Sequence, residues 1–137
     1  DRPGLLSEIT NVVAEDKAMA FVATFKSFPA ALRFLLAWPA ASQAAALVLA
    51  RSEEIDGDDY EGVEAAALAL EGRYPLAASL LYRAMITRTL RFNRRDRFAD
   101  AERWIADLGA LAPQIAEFGE FETHSDFVGR MGRHPQA

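Results

Sequence analysis

Residues 74–92, YPLAASLLYRAMITRTLRF, constrain what this chain can fold into more than any other stretch. Pro75 suits the first turn of a helix, where its missing N–H would have no partner in any case. Behind it Leu76, Ala77, Leu80, Leu81, Ala84, Met85 and Ile86 cover most of the helix circumference. Only Ser79, Arg83 and Thr87, at i, i+4 and i+8, mark a polar stripe. A surface helix carries a narrower apolar stripe, so this one is expected to pack against neighbours on more than one side. Its second half, from Thr87 onward, is expected to form an arginine-bearing edge.

The neighbours read as helices too. Ala and Leu dominate while β-branched residues are sparse, which favours helix over strand. Apolar spacing predicts helices over 5–13 and 18–25, the second with Phe21 and Phe25 at i and i+4. Pro29 opens a third, which Pro39 ends near Trp38. Ser42 is expected to cap a fourth, through Ala50. Asp58 or Asp59 caps a fifth, 60–71, with Val63, Ala66, Ala67 and Leu70 inward and Gly72 as its stop. After the basic turn 93–95 comes a helix with Phe98, Ala101, Ile105, Leu108 and Ala112 inward and Trp104 alongside. Gly109 is expected to weaken it. Pro113 begins a short turn that Gly119 ends, and Thr123 with Asp126 forms a loose capping box for a last helix through Met131. The fold class is therefore all-α: antiparallel helical hairpins stacked as a bundle or a short tetratricopeptide-like superhelix. Residues 1–137 form one domain, with 131–137 as a frayed tail. The pair 60–72 and 74–92 has the length of a tetratricopeptide unit, although no clean repeat accompanies it.

Several classes of function are disfavoured. Residues 30–50 have the length of a membrane span, but Arg33 lies inside them and Pro39, Ser42 and Gln43 interrupt the middle, so two short helices around a turn are expected. There is no cysteine, hence no thiolate nucleophile or thiolate metal site, in keeping with a cytoplasmic location. No glycine-rich phosphate loop is present. The chain begins at Asp1 with nothing that resembles a signal peptide, and is expected to be the C-terminal part of a longer protein.

Charge is segregated. Arg73, Arg83, Arg88, Arg91, Arg94 and Arg95 lie in a stretch with no acid, and seven acids between Glu53 and Glu64 lie in one with no base. Arg88, Arg91 and Arg95 fall at i, i+3 and i+7 of one helix, so Arg83, Arg88, Arg91 and Arg95 are the candidate partner-binding residues. Two readings compete. The acidic loop or Asp96, Asp100 and Glu102 neutralise the arginines internally, which is favoured, or the arginines meet an anionic partner. Asp56 to Asp59 suggest calcium, but Gly57 is out of EF-hand register and helix capping explains the acids better. His124, Ser125 and Asp126 are adjacent on a helix start and point in different directions, which disfavours a triad. No catalytic, cofactor or metal residue is assigned. Phe118 and Phe121, in a glycine-bearing loop, are candidates for exposed contacts, with docking on the domain's own core as the default.

FLLAWP (34–39), AAALVLARSEEIDGDDYE (44–61), YPLAASLLYRAM (74–85) and His124 together resemble an uncharacterised bacterial family, a domain of unknown function. Some of its members are associated with SWIM-type zinc-finger proteins. The resemblance covers about residues 28–131. It implies a C-terminal helical domain and carries no catalytic residue across. Family members tend to end in a basic tail containing glycine and tryptophan, where this chain has GRHPQA. Any zinc finger would have to lie upstream. The expected function is a helical protein-interaction or scaffolding module for a protein partner or a neighbouring domain of the same chain. The net charge of −5 makes a nucleic-acid role for the arginine face the alternative.

Overall fold

A computed structural model describes residues 28–37 and 40–133 of the chain, and among these every regular element is helical. The helices expected over 5–13 and 18–25, the expected end at Trp38, and residues 134–137 of the tail expected over 131–137 lie outside the described residues, while 131–133 continue the last helix. The helices are α1 (Phe28–Ala37), α2 (Ala41–Ala50), α3 (Tyr60–Leu70), α4 (Pro75–Arg91), α5 (Phe98–Leu111) and α6 (His124–Arg133).

Pro75 stands at the start of α4, and every residue from Ala77 to Arg83 is buried. A buried run longer than one helical turn requires cover on all sides. Helix α3 supplies one side. Tyr60 at its start meets Thr89 near the end of α4 (3.1 Å between hydroxyls), and Glu71 just past its end accepts from the Tyr82 hydroxyl at 2.9 Å. That register makes α3 and α4 an antiparallel hairpin. Helix α5 covers a second side and α2 a third, while α1 packs on both α2 and α3. On α6, Phe127 lies against Arg83 and Met131 against Thr87, so this helix runs in the same direction as α4.

Of the polar stripe of α4, Ser79 and Arg83 are thus inside and Thr87 is half-buried. Ser79 is fully buried and donates to the Leu76 carbonyl at 2.7 Å; Thr89 donates to the Met85 carbonyl at 2.8 Å. Both hydroxyls are satisfied by the preceding turn, which is how a helix buries them at low cost.

Asp59 caps α3 by accepting from the Gly62 N–H at 3.3 Å, and Thr123 caps α6 by accepting from the Asp126 N–H at 3.2 Å. Two expectations need correction. Ser42 is not an N-cap: α2 starts at Ala41, because its alanines are good helix formers, and Ser42 bonds Gln43 instead. Helix α5 turns Trp104 and Leu111 inward with Ala101 and Leu108, and leaves Ile105 exposed. The indole explains the rotation: its N–H donates to Glu64 at 2.7 Å and its ring stacks on Tyr60 at 5.3 Å. Helix α5 continues through Gly109 to Leu111.

A candidate arginine-lined cleft

Gly57 sets the position of the acidic loop. It is buried against α4, and a side chain there would run into the Ala84 carbonyl oxygen and, at 2.9 Å, the Arg88 Cβ. Only glycine allows so close an approach of the two backbones. The contact brings Asp56 and Asp58 to Arg88, at 3.8 and 3.3 Å, and Asp58 to Arg94 at 2.9 Å. Asp56 also accepts from the Asp58 N–H at 3.0 Å, and Asp59 faces Arg33 at 3.5 Å besides capping α3. The 56–59 carboxylates are therefore directed at arginines and backbone N–H groups. Among the described residues no three His, Asp or Glu side chains gather as a metal site would require.

Between this loop, α4 and α6 lies a cleft of about 490 Å³. Arg83, Arg88, Arg91 and Arg130 line it, with Glu53 and Glu122 as its acids and Ile55, Phe92, Phe121 and Phe127 among its apolar walls. Arg130 holds Glu122 through contacts of 2.5 and 3.2 Å, and this hydrogen bonding keeps the Glu122 carboxyl below the usual carboxylate range.

Arg83 is the unusual group. It is 7% exposed, and its Nε and Nη2 are buried with no hydrogen-bond partner among the described residues. Its guanidinium lies 5.0 Å from the Phe127 ring centre and 5.4 Å from that of Phe118. Burial pulls its pKa down; nearby Glu122 opposes this and Arg130 adds to it. Two cation–π contacts offer about 0.5–2 kcal/mol each. Each unsatisfied buried donor costs about 1–3 kcal/mol. The side chain thus contributes little net stability where it sits.

The four arginines singled out from the sequence separate. Arg83 is inside, between phenylalanines. Arg88 is at the rim, held by the acidic loop, so internal neutralisation accounts for it and for Arg94. Arg91 is exposed, lines the cleft and has no ion pair among the described residues. Arg95 is not on their helix face: α4 ends at Arg91, Asn93 takes a left-handed backbone (φ 52°), and Arg95 falls in a separate turn, 95–97. Asparagine tolerates that conformation better than most residues and so ends the helix there. Phe118 and Phe121 are half-buried on the domain itself. His124 heads α6, and no hydrogen bond links it to Ser125 or Asp126.

Arg130, Glu122 and Gly57 were not singled out from the sequence. The available signals were the four-residue spacing of Phe127 and Met131, which leaves Arg130 beside the buried face, and a glycine inside an otherwise acidic run. A second, apolar groove of about 310 Å³ lies across Phe127, bounded by Ile86, Leu90, Ile105, Val128 and Met131. No described helix is long and apolar enough to cross a membrane.

The model of DUF6880, a family of unknown function, matches residues 5–135. No curated protein and no solved structure matches the chain.

Proposed function

This chain belongs to DUF6880, a family of unknown function, and we propose that within it the helical domain is a protein-interaction module whose arginine-lined cleft receives an acidic segment. That segment belongs to a protein partner or to a neighbouring domain of the same chain. One observation carries the reading: Arg83, a buried guanidinium with two nitrogens unpartnered among the described residues, lines a cleft and has no carboxylate paired with it there. A buried cation that adds little stability is a candidate functional group. The chain is read as a binding module and not an enzyme: of the cleft's two acids Glu122 is held by Arg130, and no catalytic constellation is recognised among the described residues. The tetratricopeptide-like comparison rests on the α3–α4 hairpin alone.

Nucleic acid is the second reading, supported by the exposed Arg91 and Arg95. The apolar groove across Phe127 favours protein, because its exposed lining includes the aliphatic Ile105 and Val128 and Phe127 is too buried to stack a base. Panning a displayed random-peptide library on the purified chain distinguishes the two. Sequences rich in Asp and Glu are expected, and their enrichment is expected to vanish with Arg91→Glu. Equal enrichment on both proteins would remove the acidic-segment reading. An oligonucleotide whose affinity falls steeply with salt would favour the alternative.

A further inference from the structure

We propose that the inner end of the cleft is a binding site for a phosphate monoester, held chiefly by Arg83 and Arg91. The inference rests on the acidic-segment reading and narrows the acidic group to a doubly charged one. Four arginines and two glutamates line the cleft, an excess of two positive charges. The carboxylates are unevenly shared. Glu122 is taken by Arg130, Asp56 and Asp58 are taken by Arg88, and the exposed Glu53 interacts electrostatically with Arg51, whereas Arg83 and Arg91 have no ion pair among the described residues. Two uncompensated cations match a group carrying about −1.5 to −2 at neutral pH, as a phosphate monoester does. A single carboxylate would leave one cation unmatched.

Arg83 is also prepared for such a group. Phe118 and Phe127 flank its guanidinium at 5.4 and 5.0 Å, so little side-chain entropy remains to be lost. A planar fork binds phosphate oxygens through paired, charge-assisted hydrogen bonds. At about 490 Å³ the cleft is larger than a phosphate, and Ile55, Phe92 and Phe121 line it as well. The body that carries the phosphate is therefore apolar or aromatic. It is either a phosphorylated side chain of a partner or a free small molecule.

Isothermal titration calorimetry of the intact chain with phenyl phosphate tests this, with benzoate as the carboxylate control. Phenyl phosphate is expected to bind at one site, about tenfold or more tightly than benzoate, since a second charge adds to charge-assisted bonding. Arg91→Ala, an exposed substitution that leaves the core intact, is expected to weaken binding about tenfold, as is Arg83→Lys, which keeps the charge but loses the fork. Arg73→Ala, exposed and outside the cleft, removes the same charge and is expected to change nothing. No saturable binding, benzoate binding as tightly, or an Arg91→Ala variant that binds like the parent would each overturn the inference. A phosphoserine peptide that binds more tightly than phenyl phosphate identifies a partner side chain as the source; the reverse order identifies a free monoester, and both support the site. If Asp- and Glu-rich peptides bind but phenyl phosphate does not, this inference falls and the broader reading stands. If only phenyl phosphate binds, the site stands and the protein partner falls.

Discussion

Glu64 shows what a well-placed polar group does in this domain, and Arg83 what an unsatisfied one does. Glu64 accepts from the Trp104 indole at 2.7 Å and from Arg103 at 2.6 Å, and those two donors, the indole first, hold its carboxyl below the usual carboxylate range. A carboxyl whose pKa is lowered on folding stabilises the fold above its unfolded value, and that contribution is lost as pH falls through the folded one. Glu64→Gln is expected to lower stability at neutral pH and to flatten its decline in acid, read as urea midpoints at pH 7 and pH 3. A parallel drop for parent and variant across that range would show that Glu64 titrates normally. Arg83 has no such partner, and its value lies elsewhere than in stability.

The acidic loop and α4 meet through one glycine. Gly57→Ala would place a methyl group against the Ala84 carbonyl oxygen of α4, so the loop must move. Overpacking of this kind costs about 1–3 kcal/mol. Urea denaturation is expected to show that loss; an unchanged midpoint would mean the loop is free of α4. Much at this scale was legible in the sequence. Pro75, Asp59 and Thr123 act locally, so their roles in starting helices follow from residue type and position. The orientation of α5 did not follow, because Trp104 and Ile105 are both apolar and the choice depends on Glu64, forty residues away in the chain. The end of the arginine row was missed for a related reason: residue spacing assumes a continuous helix, and Asn93 ends it.

The whole molecule carries a net charge of −5, yet gathers four arginines around one cleft. Composition conceals that concentration, and so did the sequence: Arg83, Arg88 and Arg91 were visible on one helix, but Arg130 and Glu122 reach the cleft from α6 and the loop before it. Nor does spacing say which arginine a distant acid will neutralise. Arg88 and Arg83 stand five residues apart, and only folding gives carboxylates to one and phenylalanine rings to the other. A site kept for binding at the expense of stability is expected to reveal itself when the binding group is replaced by an apolar one. Methionine matches much of the volume of Arg83 and suits contact with aromatic rings. The decisive measurement is the thermal melting of parent and Arg83→Met, each with and without phenyl phosphate. The variant is expected to melt no lower than the parent and to gain nothing from the ligand, while the parent rises by about 3–5 °C per kcal/mol of binding free energy linked to folding. A variant that melts well below the parent, yet is still raised by phenyl phosphate, would show that Arg83 is structural and contradict the account.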